Sequence, residues 1–277
     1  MGHKSKFVKF NQWFNEVNTY SSDSINEAHI SSAKQMYEYS KPFLKKLYIK
    51  ETSKVLDVGC GYGYHCTWFS EYSNNVYGIT DYINDILKEK SEQEHFIIRN
   101  MDMNDLQFSD NEFDFLWSHH SLEHSFSPLY TLREWWRVLK IGGQLAVTVP
   151  PYHERTVSGH FTTGWHIGQL MYLLLISGFD VKNGYFIQEG YNVRAIVEKK
   201  EIMSFSGYAY LKNVDHLLPV VLKDQILKAP KSLGGLVING DIKEIDGKNN
   251  IIIRKQVVNK GLIERGLQWL KTKIKYF

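Results

Sequence analysis

The sequence predicts an α/β fold in which helices cover a buried sheet. Its first sign is Lys54–Val58, where three apolar residues interleaved with Asp57 read as a short buried strand. That strand runs into a turn with glycine at every second position, and a helix-forming segment follows. With 277 residues, 43% of them hydrophobic, the chain can bury one substantial core. One main domain is therefore expected.

Net charge, cysteine content and the lengths of apolar runs limit which binding partners and which cellular compartment are expected. A net charge of +3 and a pI near 8.6 are too mild to predict nucleic-acid binding. The two cysteines, Cys60 and Cys66, flank the glycine turn, so a disulfide between them would distort it and a metal would lack further ligands. Neither a leader peptide nor an apolar run of about 18 residues is evident. We therefore expect reduced thiols, a cytoplasmic location and no transmembrane segment.

The turn itself resembles the first motif of class I S-adenosylmethionine-dependent methyltransferases, an acidic residue followed by Gly-x-Gly-x-Gly. Here these residues are Asp57, Gly59, Gly61 and Gly63. A dinucleotide-binding domain would have Gly-x-Gly-x-x-Gly instead. The resemblance implies S-adenosylmethionine as cofactor, with these four residues around its amino-acid end.

The resemblance also implies the architecture, a doubly wound, mostly parallel seven-stranded sheet of the Rossmann-like methyltransferase type. Residues 1–50 are expected to be an N-terminal helical arm that covers the cofactor. Residues 51–200 would be the cofactor-binding core, and 201–277 a C-terminal α+β extension. Arg137-Val138-Leu139-Lys140-Ile141-Gly142-Gly143 matches the family's helix-ending motif, with Ile141 in place of proline.

Each element has its own pattern. Helical periodicity predicts a helix over 24–47, broken or kinked at Pro42. Further helices are expected at 64–72, at 82–92 and at 164–178, together with one that ends at residue 140. Strands are expected at 54–58, 75–80, 95–99, 113–118, 145–149, 179–187 and 191–199. Beyond them lie a predicted hairpin, 236–238 with 251–253, and a basic amphipathic helix near the end of the chain. That helix packs on the domain or on a second copy in a homodimer, or it rests on a membrane surface.

The nucleoside end of the cofactor has less certain partners. In the family an acidic residue ending the second strand binds both ribose hydroxyls, but here Thr80 holds that position and Asp81 follows. Either Asp81 reaches back or Thr80 makes a single contact, while Asp81 could instead cap the next helix. Asp102 aligns with the family's adenine-binding acid, and Met103 can pack on the purine. Ser118, at the end of the fourth strand, completes the predicted cofactor residues.

Histidines concentrate where ligands bind in such a sheet, beyond the carboxyl ends of its strands. Six of the eleven histidines fall between 119 and 166. His120 and His124 have zinc-ligand spacing, but no further ligand supports them, so no metal is expected. We predict His160 or His120 as a general base, if the nucleophile needs one. His119, Glu123, Tyr152 and His166 are expected to line the acceptor site.

The stretch 150–199 loosely resembles methyltransferases that accompany bacterial surface-polysaccharide genes. It implies a role in polysaccharide or capsule biosynthesis and a sugar, nucleotide-sugar or glycan-linked acceptor, methylated on a hydroxyl or phosphoryl-type oxygen. The alternatives are another small metabolite or lipid as acceptor, a non-catalytic S-adenosylmethionine-binding module, and tRNA or protein methylation.

Overall fold

The computed structural model describes residues 27–152, 160–201 and 244–246. Its helices are α1 (Glu27–Leu44), α2 (Tyr64–Ser70), α3 (Asp85–Glu94), α4 (Pro128–Val138) and α5 (Ile167–Ser177), with a short 3-10 helix at Leu122–His124. Its strands are β1 (Lys54–Val58), β2 (Asn75–Thr80), β3 (Ile97–Asn100), β4 (Phe113–His119), β5 (Leu139–Val149), β6 (Phe179–Glu189), β7 (Asn192–Lys199) and β8 (Glu244–Asp246). Residues 1–26 of the predicted arm, both strands of the predicted C-terminal hairpin and the predicted last helix lie outside the described residues. Strand β8 lies between the two predicted hairpin strands.

All eight strands form one sheet in the order β3-β2-β1-β4-β5-β7-β6-β8. Strands β1 to β5 pair in parallel, and β7 inserts antiparallel between β5 and β6. The doubly wound seven-stranded sheet is therefore confirmed. Strand β8 adds an eighth, antiparallel member at the β6 edge. The strand order reverses between β1 and β4, so the ligand crevice of this fold opens there.

Both faces of the sheet are buried, as a parallel sheet requires. Along β1, Val55 packs into one hydrophobic cluster with Phe69 and Trp117, whereas Leu56 and Val58 pack into the other. This alternation places Asp57 on the same face as Val55, under α2. Among the described helices, none combines the length and apolar character needed to cross a bilayer.

The predicted helix-glycine-strand boundary near 140 is wrong. Helix α4 ends at Val138, and β5 begins at once with Leu139, which pairs with Phe113 before a shift in register. Gly142 (φ 79°) and Gly143 lie inside the strand as a bulge rather than before it, and a Cβ on Gly143 would lie 2.8 Å from the Lys140 carbonyl. Lys199 Nζ donates to the Leu139 carbonyl at 2.6 Å and so holds the early part of the strand.

The start of α3 also differs from the prediction. The helix begins at Asp85 rather than at residue 82, and the Asn84 side chain caps it by accepting from Leu87 N at 2.8 Å. Asp81 is therefore not the helix cap, which removes that explanation for it. In α1 the predicted helix is confirmed, and Pro42 lies within its last turn.

Candidate active site

The glycine turn lies at the carboxyl end of β1 and is held by backbone hydrogen bonds. Gly59 N and Cys60 N both donate to the Ile79 carbonyl at 2.9 Å, which ties the turn to β2. Gly59, Gly61 and Gly63 have φ angles of 78°, 52° and 74°, a region that favours glycine. The sequence therefore needs glycine at all three positions for backbone reasons alone.

The three glycines face different surroundings. A Cβ at Gly59 would overlap the Ser121 hydroxyl and lie 2.7 Å from the Ser121 Cβ, so the turn contacts the segment after β4. A Cβ at Gly63 would lie 2.8 Å from the Phe96 ring and 2.9 Å from Leu87. At Gly61 no described atom lies within 4 Å of that position. The turn is thus packed at both ends and open in the middle, where a ligand can approach the backbone.

Asp57 lies beneath the turn with only 1% of its surface exposed. Its Oδ2 accepts from the Cys66 thiol at 3.4 Å. Burial raises the pKa of Asp57 to about 7, and the Cys66 hydrogen bond lowers it only in part. Cys60 and Cys66 are both free and buried, and their sulfurs pack on Gly78 of β2. A cation placed at the turn would stabilise the Asp57 carboxylate. The ammonium group of an amino acid is such a cation.

Thr80 and Asp81, the two candidates for the ribose, differ in exposure. The Thr80 hydroxyl is 3.3 Å from both the Tyr82 carbonyl and the Tyr82 amide, so it is engaged in a local turn. Asp81 is exposed at the carboxyl end of β2, and Asn100 Nδ2 donates to its backbone carbonyl at 2.8 Å. Partial desolvation lowers the pKa of His124, and Asp81 is one of the charges that oppose this, so its carboxylate lies near the histidines. Which of the two binds the ribose stays a prediction.

Asp102 and Met103 follow β3 at the same edge. Asp102 Oδ1 accepts from Asn104 N at 2.8 Å and from Asn104 Nδ2 at 2.7 Å, which fixes the loop. Met103 is partly buried against the core, and its carbonyl accepts from Trp135 Nε1 at 3.0 Å. Their predicted contacts with adenine stay predictions, but the loop that carries them is rigidly held.

Ser118 and His119 end β4 next to the switch point. Ser118 is fully buried, and within the described part of the chain its hydroxyl has no hydrogen-bond partner. His119 Nε2 is likewise unpartnered among the described residues, and burial lowers the pKa of His119 well below its usual value. Unpaired buried polar atoms are uncommon and suggest a missing ligand. Together with the open turn and the buried Asp57 carboxyl, they fit a polar donor such as S-adenosylmethionine.

His120 has the most constrained side chain of the predicted acceptor site. Its backbone adopts φ 55°, which is unusual for a residue other than glycine. Nδ1 lies 3.1 Å from Glu123 Oε1. On the other side, Asn192 is best oriented with its amide nitrogen donating to Nε2 at 2.9 Å and its oxygen accepting from Arg194 at 3.2 Å. In this orientation Nε2 accepts a hydrogen bond from Asn192, and Nδ1 faces the Glu123 carboxylate.

Glu123, His124 and His160 form a second group beside His120. The ligand atoms that they offer all lie within 4.8 Å of one another, the only such group among the residues described. The rings of His124 and His160 meet edge to face at 5.0 Å. His120 is not a member, so among the described residues the zinc-like spacing of His120 and His124 does not correspond to a ligand pair.

Tyr152 and His166 lie farther out. Tyr152 is 56% exposed, and its amide donates to the Trp165 carbonyl at 2.7 Å. His166 caps α5, its Nδ1 accepting from Gln169 N at 3.3 Å, so this part of its ring serves the helix. The structure therefore gathers His119, His120, Glu123 and His160 together and leaves His166 with a structural role.

Three residues near the site, Asn192, Arg194 and His65, were not predicted from the sequence. Arg194 is buried, pairs with Glu189, and donates to the Tyr39 carbonyl of α1 at 3.0 Å. The His65 ring lies 5.1 Å from that of His119, and burial lowers the pKa of His65 to about 3. The available signal was a charged residue between two apolar ones, Arg194 between Val193 and Ala195 in β7.

Comparison with known proteins assigns the central part of the chain. Residues 56–147 match the family model described as a methyltransferase domain. Methyltransferase GfsG of Streptomyces halstedii is 24% identical over 233 residues, 77% of each chain. A demethylmenaquinone methyltransferase of Staphylococcus saprophyticus is 33% identical over 130 residues, 44% of this chain and 54% of that protein.

Solved structures agree with the fold. The Haloferax volcanii complex of the Trm112 methyltransferase activator and a methyltransferase aligns with TM-score 0.52 and 18% identity, covering 61% of this chain and 92% of that one. YcgJ of Bacillus subtilis aligns with TM-score 0.50 and 14% identity, covering 60% and 100%. The matched domain, the strand order and the glycine turn agree with one another. The chain therefore carries, at residues 56–147, an S-adenosylmethionine-dependent methyltransferase domain with the class I fold.

Proposed function

We propose that this enzyme transfers the methyl group to a hydroxyl oxygen of a sugar, a nucleotide sugar or a glycan-linked group. The observation that carries the proposal is the His120 and Glu123 pair, an imidazole whose Nδ1 faces a fully buried carboxylate at 3.1 Å. A carboxylate in this position orients the ring and stabilises the imidazolium that forms when the other nitrogen takes a proton. A hydroxyl nucleophile must lose its proton as it attacks, so it needs such a base.

The residues divide the work. S-adenosylmethionine, held by the glycine turn, Asp57 and the acidic residues after β2 and β3, supplies an electrophilic methyl group on a sulfonium. The acceptor hydroxyl takes the place of the Asn192 amide as hydrogen-bond donor to His120 Nε2. His120 Nε2 then receives the proton of that hydroxyl. Much of the remaining rate enhancement comes from holding nucleophile and methyl group in line. His160 is the other predicted base, and its position beside His124 keeps it within the same pocket.

Exposed aromatic rings around these histidines support a sugar acceptor. Tyr191, 49% exposed, stacks on His120 with ring centres 5.9 Å apart and planes 5° from parallel. Phe161, which directly follows His160 in the chain, is 49% exposed. Flat rings stack on the apolar faces of sugars, and nearby histidine and tyrosine side chains bond their hydroxyls.

The test is methyl transfer from labelled donor to a panel of nucleotide sugars and glycans, with mass spectrometry locating the new methyl group. We expect a methyl ether as product. His120→Ala should lower turnover by about 10² to 10⁴-fold, the usual contribution of a general base, with S-adenosylhomocysteine binding unchanged. His160→Ala is measured beside it. Wild-type turnover in both variants, with donor product still bound, would refute acid-base catalysis.

A second candidate acceptor is a lipophilic quinone, because one relative is named for methylating demethylmenaquinone. Its alignment covers 54% of that protein, so it supports the donor half better than the acceptor. Adding a quinone to the same panel separates the two candidates. A cytoplasmic location, a homodimer and a role in surface-polysaccharide synthesis remain predictions.

A further inference from the structure

We propose that Glu123, His124 and His160 bind one divalent transition-metal cation of the zinc class at the acceptor side of the active site. Two imidazoles and one carboxylate form a ligand set suited to zinc and its neighbours, and three protein ligands leave a coordination position open for another molecule. The catalytic use of the ion rests on the proposed hydroxyl acceptor. Its binding does not.

The distances permit a metal. The three ligand atoms lie within 4.8 Å of one another. Bonds of about 2.0 to 2.1 Å place tetrahedral ligands roughly 3.3 Å apart, so modest side-chain rotation closes the site. His124 reaches solvent and His160 is half-buried, so an ion can enter from outside.

Glu123 supplies the independent reason to expect a cation. Its side chain is fully buried, yet among the described residues Oε2 has no hydrogen-bond partner. A buried carboxylate oxygen without compensation is costly, and a positive charge is the usual remedy. The other oxygen, Oε1, is occupied by His120 Nδ1 at 3.1 Å. This is the arrangement of a metal-binding carboxylate oriented by a second hydrogen bond, with Oε2 left for the ion.

The backbone holds the three ligands together in advance. The Glu123 carbonyl accepts from Phe161 N at 2.9 Å and from Thr162 N at 3.1 Å, which anchors the residues directly after His160. His124 N donates to the Ser121 carbonyl at 3.0 Å within the short 3-10 helix. Ligands from two distant parts of the chain are thereby fixed on one side of the pocket.

The ion would decide which histidine acts as base. A hydroxyl bound at the open position becomes more acidic, as water does on zinc. Its O–H bond breaks, the proton passes to His120, and the electron pair stays on oxygen. That oxygen forms the new bond to the methyl carbon while the carbon–sulfur bond breaks and leaves its pair on sulfur. In this assignment His160 holds the metal and His120 takes the proton.

Metal binding is tested directly, without an acceptor. The full-length protein is stripped with a chelator, dialysed, and titrated with Co²⁺ while the visible d–d absorption is recorded, and with Zn²⁺ by calorimetry. We expect one ion per chain. His124→Ala and His160→Ala should each weaken binding by more than about tenfold. His95→Asn is the matched control, because it removes an exposed histidine at the opposite edge of the sheet and asparagine tolerates its φ of 57°.

S-adenosylhomocysteine binding checks that each variant is folded, which matters most for Glu123→Gln at a buried position. Absence of a saturable Co²⁺ spectrum in the wild type overturns the inference, as does wild-type affinity in both histidine variants. Metal binding that both variants lose, with no sugar methylated, supports the metal site and refutes the sugar acceptor. Sugar methylation by a protein that binds no metal refutes the metal site and supports the sugar acceptor.

Discussion

Replacing Asp57 by asparagine removes a buried carboxyl group whose charge the folded protein disfavours. Burial raises its pKa from 3.8 to about 7, so between these values the native chain keeps a proton that the unfolded chain releases. For a carboxyl group with a raised pKa, stability falls as pH rises through this window and stays low above it. From pH 5 to pH 8 the linkage relation gives a loss of about 2.6 kcal/mol, which Asp57→Asn should not show.

The assay is urea unfolding of the ligand-free wild type and variant at pH 5 and at pH 8, followed by tryptophan fluorescence. The unfolding free energy of the variant minus that of the wild type should be about 2.6 kcal/mol larger at pH 8 than at pH 5. Loss of the Cys66 hydrogen bond contributes at both pH values and cancels to first order. Asp85→Asn, at a fully exposed side chain, is the control and should show almost no shift. A shift below about 0.5 kcal/mol would refute the raised pKa of Asp57.

Three further predictions concern the donor site and the cap of α3. Gly59→Ala, where the new methyl group would overlap Ser121, should destabilise the fold by about 2 kcal/mol or more and abolish S-adenosylhomocysteine binding. Gly61→Ala, in open space, should cost about 1 kcal/mol of stability yet still weaken that binding. Equal unfolding free energies for the two variants would contradict this. Asn84→Ala should cost about 1 kcal/mol through loss of the helix cap, measured by urea unfolding. Asp81→Ala should leave stability unchanged and weaken S-adenosylhomocysteine binding in calorimetry, and the reverse pattern would assign Asp81 a structural role.

Local sequence patterns predicted the donor half of the sheet well because its determinants are short-range. The strand Asn75–Thr80 was predicted with its observed bounds, and the glycine turn needs only its own residues to be recognised. The start of β5 was predicted wrongly because a long-range contact helps to determine it. Lys199, 60 residues away, donates to the Leu139 carbonyl, and the strand starts before the glycines. At α3 the sequence analysis considered only Asp81 as the cap, whereas the structure uses Asn84, an equally good capping residue three positions later.

The acceptor side was less predictable for the same physical reason. His120 was identified as a candidate, but its partner Asn192 lies 72 residues away and has no motif of its own. The pairing of Glu123 with both His124 and His160 depends on the backbone bonds from Phe161 and Thr162, which no pattern reveals. Spacing along the chain suggested His120 with His124, whereas the fold groups His124 with His160.

The antiparallel insertion of β7 between β5 and β6 has a consequence for the acceptor side. Asn192 and Arg194, which hold His120 from behind, come from that strand, and His160 comes from the loop before α5, so all three lie outside residues 56–147. His119, His120 and Glu123 lie within the matched domain, so only part of the acceptor side is encoded apart from the donor-binding residues. Substitutions in the β6–β7 hairpin would therefore change the surroundings of His120 without altering the glycine turn.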